Sequence, residues 1–246
     1  MMQIKSRKYK GYTILYKNDF ETDFLIKEIF EAECYLFKTD NACSFIIDCG
    51  AHIGLSVLYF KHIYPSCKIV AFEPDKQSFE LLKKNVESNN LQNITLYNAA
   101  IADFEGEAVM YGDFSQNSES VGNTIIKDWG DRNGFTTSIV SVLRLSEIIG
   151  NESVDYLKID TEGTELSVLK DVEDYLNQVK NIYVEFHQYN DNKNDLLEIE
   201  RILKENHFEI ALNSLDLIKV LSEKYPLWVK QHKPAVHIIK GVKGKK

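Results

Sequence analysis

Cysteine, proline and tryptophan are scarce in this chain of 246 residues, at four, four and two. The cysteines (Cys34, Cys43, Cys49, Cys67) form no C-x-x-C pair and no zinc-like spacing, which excludes a disulfide scaffold and a zinc ribbon. Cys49 and Cys67 lie in or beside apolar runs, where a reduced thiol behaves as a small hydrophobe, so a reducing compartment is expected. No run approaches the roughly 18 apolar residues of a membrane span. Residues Met1 to Lys8 lack the apolar segment of a signal peptide. These absences predict a cytoplasmic protein without integral membrane association. Positive charge is also short: 29 Lys and Arg against 37 Asp and Glu leave a net charge of -8. Such a chain is poorly suited to neutralising a phosphate backbone, so no nucleic-acid partner is expected. The basic end (Lys240, Lys243, Lys245, Lys246) reads as a solvated tail.

What is present is alternation. Residues 1–43 read as a lead-in, with a β-like patch at Tyr12 to Tyr16 and an amphipathic helix through Phe24, Leu25, Glu28 and Ile29. From residue 44 onward strands and helices alternate: strands at 44–48, 68–73, 93–98, 154–159 and 180–186, with helices at 54–63, 76–90, about 165–176 and 194–206. Two last strands are supplied by Phe208 to Leu212 and Ala235 to Ile239. The pattern predicts βαβ units in one α/β domain over 44–246, with a mostly parallel seven-stranded sheet covered by helices on both faces. The rhythm breaks at 103–153, where two β-like runs (Glu107 to Tyr111, Thr137 to Val142) flank a polar stretch from Gly112 to Gly134. That stretch reads as a mobile loop or lid.

Chemistry concentrates in three places. The apolar strand Phe45-Ile46-Ile47 runs into Asp48-Cys49-Gly50-Ala51-His52-Ile53-Gly54-Leu55-Ser56 and then into a helix. This strand–turn–helix is expected to bare backbone N–H groups for a polar cofactor, with Asp48 orienting the loop by accepting backbone N–H bonds. The spacing G-x-x-x-G differs from the dinucleotide G-x-G-x-x-G, and so favours a smaller zwitterion over a pyrophosphate. A second strand ends in Glu73-Pro74, at the distance where a doubly wound fold grips a ribose through its hydroxyls. After the third strand, the small residues around Ala100 and Ile101 leave a slot for a flat adenine ring.

The third place is Lys158-Ile159-Asp160-Thr161-Glu162-Gly163-Thr164-Glu165. Strand alternation puts Lys158 and Asp160 on one face, and Asp160 arrives at the carboxyl edge where open sheets bind ligands. Glu165 reads as a helix-start acid favoured by the dipole. The next strand ends with Glu185 and His187 on one face, beside Asp160 if the two strands are neighbours. His187 is then a candidate general base, and Asp160, Glu162 and Glu185 complete the candidate catalytic set. These groups have the donor types for a divalent cation, although no metal-ligand motif supports one.

Taken in order, Asp48-Cys49-Gly50-Ala51-His52-Ile53-Gly54, Phe72-Glu73-Pro74, Ala100 to Gly106 and Lys158 to Glu165 resemble the FkbM-type methyltransferase family. The K-I-D-x-E-G-x-E block is the specific part. The resemblance implies a Rossmann-like class I fold, S-adenosylmethionine as cofactor, and methyl transfer to a hydroxyl of a sugar, glycolipid or polyketide, that is, a small-molecule or glycan acceptor. Carried over by position, Asp48, Gly50 and Gly54, with Ala51, His52 and Ser56 in the same turn, would cradle the methionine end. Glu73 and Pro74 would meet the ribose, Ala100 and Ile101 the adenine, and Asp160 the sulfonium or the acceptor. Two positions depart from the family pattern: His52, where Asn is usual, and Ser146, where a Leu-Asp pair is usual. A nicotinamide dehydrogenase and a non-catalytic methyltransferase-like module remain as alternatives, and nothing in the chain specifies an oligomeric state.

Overall fold

Apolar runs bounded by polar turns set the central strands. In the computed structural model, which describes residues 4–112, 114, 122–127, 136–188, 192, 194–216 and 235–244, the chain opens with β1 (Lys5–Tyr9) and β2 (Tyr12–Tyr16), an antiparallel hairpin. Helix α1 (Asp19–Ile26) follows, capped by the Asn18 side chain on Phe20 and Glu21 N–H, and widens into a π turn over Lys27–Glu31. The expected amphipathic helix is present, and Phe24 faces solvent because its buried stripe is Thr22, Ile26, Ile29 and Phe30.

The core alternates β3 (Phe45–Cys49), α2 (Leu55–Ile63), β4 (Lys68–Phe72), α3 (Lys76–Ser88) and β5 (Ile94–Tyr97). It resumes with β9 (Tyr156–Ile159), α5 (Glu165–Asp171), a short 3₁₀ turn (Glu173–Gln178), β10 (Asn181–Gln188), α6 (Asp195–Glu205), β11 (Phe208–Asp216) and β12 (Ala235–Lys243). Between the halves lie β6 (Ala100–Ala102), β7 (Gly106–Gly112), β8 (Thr136–Arg144) and the short α4 (Ser146–Ile149). The expected seven-stranded sheet is present, in the order β11-β12-β10-β9-β3-β4-β5, with β12 alone antiparallel to its neighbours. β6, β7 and β8 form a separate three-stranded sheet, which periodicity alone did not resolve. The expected lid from Gly112 to Gly134 falls largely outside the described residues. No helix among the described residues is long and apolar enough to cross a membrane.

The sheet is buried on both faces, as parallel strands under helices must be. Ile47, Leu157 and Val184 pack with α5 and α6 residues such as Val168 and Ile202, whereas Ile46, Tyr156 and Tyr183 meet α2 and the N-terminal segment through Phe60, Tyr35 and Phe37. The chain leaves β3 towards β5 and returns at β9, on the other side of β3. That reversal opens a crevice at the carboxyl ends of β3 and β9.

Two carboxylates tie peripheral segments to this frame. Buried Asp155 accepts from Thr39 Oγ1 (2.8 Å), Asn41 Nδ2 (2.8 Å), Phe45 N (2.9 Å) and Lys180 Nζ (2.8 Å). Burial pushes its carboxyl up, but Lys180 and these donors outweigh that and hold it below the ordinary carboxylate value. Asp171 accepts from Ser146 N (2.8 Å), Ser146 Oγ (2.8 Å) and Arg144 Nε (2.7 Å), so α5 supplies an acid beside the position where the family pattern has its own. Asp155→Ala should cost about 3 kcal/mol in urea unfolding, because the Phe45 N–H loses its partner inside the protein. Asp155→Asn should cost less, as it keeps an acceptor there.

Candidate active site

The β3–α2 turn spends its donors on the protein. Gly50 N and Ala51 N both donate to Phe72 O (3.0 and 2.9 Å), Gly54 N donates to Ala51 O (2.8 Å), and His52 N donates to Glu73 Oε2 (2.8 Å). This corrects the expectation of bare N–H groups between Gly50 and Gly54: the end of β4 absorbs them. Gly50 has φ +96°, and a Cβ there would lie 1.9 Å from the Asp160 carbonyl oxygen. Gly54, at φ +93°, would meet Leu82 Cδ1 at 2.6 Å. Both glycines are therefore demanded by close packing against β9 and α3. His52 itself sits at φ +50°, a left-handed conformation uncommon outside glycine but one that Asn, Asp and His adopt more readily than other residues.

Behind the turn lies a chain of charges. Lys158, 1% exposed, donates to Gly50 O (2.8 Å) and pairs with Asp48 Oδ1 (3.2 Å) and Asp160 Oδ2 (3.1 Å). Burial favours its neutral form, but Asp160 and then Asp48 overcome this and hold the ammonium well above its ordinary value. Asp48 Oδ2 also accepts from Ser56 Oγ (2.5 Å). Asp48 thus orients the turn through Ser56 and Lys158, not by accepting backbone N–H bonds as expected. The sequence reading missed Lys158 as a site residue. The available signal was its register opposite Asp48, two charges inside buried strands.

A cleft of about 690 Å³, counted out to its open mouth, runs along the carboxyl edge. Of the expected cofactor residues, Gly50, His52, Glu73, Pro74, Ala100, Ile101 and Asp160 line it, as does Glu162. Asp48, Ala51, Gly54 and Ser56 lie beneath it, buried. Met110 on β7, with Asn123 and Ile125, also lines the cleft, and none of these was expected. The small sheet brings them there, tied to the α5 start by Thr164 Oγ1 donating to Ile101 O (2.8 Å). At one end Glu73 accepts from His52 N and Asp75 N (both 2.8 Å). Burial, more than those bonds offset, pushes its carboxyl up to about 8.

At the other end the four candidate catalytic groups converge, although Glu185 and His187 do not line the cleft itself. His187 Nδ1 meets Glu165 Oε1 at 2.9 Å, while Nε2 faces Glu162 Oε2 at 3.3 Å and Glu185 Oε1 at 4.0 Å. Burial disfavours its charged form, but Glu162, Glu165 and Glu185 outweigh that and hold the imidazole protonated, well above its ordinary value. Both ring nitrogens of His187 thus face carboxylates, and the residue stands behind the cleft lining. Burial and then Asp160 push Glu185 up to about 8, against the opposing pull of His187. Tyr183 donates to Glu185 Oε2 (2.9 Å), and the Tyr183 ring is edge-on to Tyr35 at 4.9 Å. Tyr35 also covers the Lys158 ammonium at 5.2 Å, so the lead-in packs against this cluster from behind the cleft lining. Burial and Asp160 raise Glu28 from that same segment.

Comparison with known proteins points to the same region. The family described as methyltransferase FkbM domain matches residues 48–210. Methyltransferase sdnD of Sordaria araneosa is 30% identical over 219 residues, covering 78% of this chain and 83% of that protein. The 31-O-demethyl-FK506 methyltransferase FkbM of Streptomyces tacrolimicus is 28% identical over 193 residues, covering 67% and 74%. Among solved structures, Trm5b of Pyrococcus abyssi is alike in fold alone, with a TM-score of 0.52 at 8% identity over 97% of this chain and 55% of that one.

Folding favours the protonated form of Glu73, whose value moves from 4.5 to about 8. Its contribution to stability is therefore complete below the unfolded value and lost as pH rises through the folded one. The difference in urea midpoint between the protein and Glu73→Gln should shift against the native residue between pH 5 and 8.5. A pH-independent difference would refute the assignment. Gly50→Ala should lose the cleft, read as failure to fold or as loss of cofactor binding.

Proposed function

Because the chain belongs to the methyltransferase FkbM domain family and is an S-adenosylmethionine-dependent methyltransferase, we propose that it transfers the methyl group to a hydroxyl oxygen of a sugar, glycan or related natural-product acceptor. The observation that carries this reading is the set of groups lining the cleft: the Glu73 carboxyl with its backbone partners, the small apolar Ala100 and Ile101, and the acids Asp160 and Glu162. A nucleoside joined to a sulfonium offers the matching groups: ribose hydroxyls, a flat apolar base and a positive sulfur. A relative named for 31-O-methylation of a natural product supports an oxygen acceptor. The four free cysteines accord with a cytoplasmic setting, where precursors for polysaccharide biosynthesis are also handled.

In this reading Glu73 takes the ribose hydroxyls with the lone pairs its two N–H partners leave, and Ala100 and Ile101 flank the adenine. Asp160, held by Lys158, faces the sulfonium. Glu162 takes the acceptor's proton, since of the candidate bases only Asp160 and Glu162 line the cleft. S-adenosylmethionine, when bound, would supply the methyl group from its sulfonium to the acceptor oxygen and leave as a neutral thioether, while Glu162 would take the hydroxyl proton. Holding oxygen and methyl carbon close and in line contributes several kcal/mol to lowering the barrier. A nicotinamide dehydrogenase is disfavoured, because the turn's N–H groups at Gly50, Ala51, His52 and Gly54 are already engaged and leave little to bind a pyrophosphate.

Glu73→Ala should raise the calorimetric Kd for S-adenosylmethionine by about 10- to 100-fold, the loss of hydrogen bonds to two hydroxyls. NAD should give no binding heat; saturable NAD binding in place of S-adenosylmethionine would overturn the reading. Glu162→Gln should lower kcat on a hydroxylated acceptor by roughly 10²–10⁴-fold with cofactor affinity little changed.

A further inference from the structure

We propose that Asp160, Glu185 and His187 form a divalent-cation site at the acceptor end of the cleft, suited to a Mn²⁺-type ion that takes both oxygen and nitrogen ligands. Each of the three offers one ligand atom, and the three atoms lie within 4.8 Å of one another. Ligands around an ion with bonds of about 2.1 Å stand roughly 3–4.2 Å apart, so modest contraction closes the set. The donors come from rigid positions: Asp160 is one residue past β9, and Glu185 and His187 share a face of β10, the strand paired to β9.

The imidazole is oriented for this task. Its Nδ1 is held by Glu165, a fully buried carboxylate whose Oε1 also accepts from Gly163 N (2.9 Å) and Thr161 N (3.3 Å). That leaves Nε2 directed at Glu162 and Glu185. A histidine whose second nitrogen is fixed by a buried carboxylate is the usual outer-shell arrangement of a metal-bound imidazole. One nitrogen with two carboxylates favours Mn²⁺ or a neighbouring first-row ion over Mg²⁺, which prefers oxygen alone. Three protein ligands leave coordination positions for water and for an acceptor oxygen. An acceptor hydroxyl bound there is acidified and pinned in place, and Glu162 is released from His187 to take its proton. This role rests on the methyl-transfer reading; the site itself does not.

The test uses the full chain, stripped with EDTA and desalted, then titrated with MnCl₂ while the electron paramagnetic resonance of free Mn²⁺ and the melting temperature are followed together. One saturable site and a rising melting temperature are expected. Glu185→Gln and His187→Ala should weaken Mn²⁺ by at least about 10-fold, and Glu165→Gln by roughly 10- to 100-fold. Each variant's metal-free melting curve reports whether it folds. Glu152→Gln, on a surface carboxylate paired with Lys68, should leave the affinity unchanged. No saturable site at millimolar Mn²⁺, or equal affinity in the protein and in both ligand variants, overturns the site. If methyl transfer runs at full rate in EDTA without bound Mn²⁺, the ion's role in the reaction falls and the methyltransferase reading stands. If one Mn²⁺ binds but no hydroxylated acceptor is methylated, the ion stands and the acceptor reading falls.

Discussion

The ammonium of Lys158 sits beneath the cleft with no access to water, joined to two carboxylates on adjacent strands and to the carbonyl of Gly50. A buried cation costs several kcal/mol unless anions and acceptors surround it, and here they also tie three parts of the site together. Asp48 is drawn down from β3, Asp160 is held at the end of β9, and the glycine turn is held by its carbonyl. The turn then needs no side chain of its own to stay in place, and Gly50 is free to lie against the Asp160 backbone. Remove that charge and the buried Asp48 and half-buried Asp160 repel one another across the topological switch point.

The same electrostatics divide the cleft. Glu73 accepts from two backbone N–H groups and feels Lys158 weakly, and burial dominates its proton affinity. At the opposite end Glu28, Asp160, Glu162, Glu165 and Glu185 gather around Lys158 and His187. An excess of negative charge in a half-buried place favours whatever cation enters it, whether a sulfonium, a metal ion or a proton.

Several parts of this site were legible in the chain because they are local. Gly50 and Gly54 announce a sharp strand-to-helix turn, Glu73 follows at ribose distance, and the block from Lys158 to Glu165 places acids at a strand end. The seven strands were legible too, since alternation of apolar runs with helical spacing leaves few other topologies. Other features depend on distant atoms. That Phe72 O takes the N–H groups of Gly50 and Ala51 depends on how far β4 extends beside β3. That Phe24 faces outward depends on which side of α1 meets the core. Met110 and Ile125 reach the cleft only because β6, β7 and β8 pair with one another away from the main sheet.

The order of residues determined the class of fold, the edge on which the site lies and the kinds of group available there, because periodicity and turn chemistry act over a few neighbouring positions. Only the tertiary structure decided what each polar group does. A hydrogen bond or ion pair is spent on whichever partner packing brings within about 3 Å, and that partner is often a hundred residues away, as Lys158 is from Gly50. So Asp48 turned inward, the N–H groups of the turn were consumed, and His187 kept its proton among three carboxylates. The cleft was left with Glu73 at one end and Asp160 and Glu162 at the other.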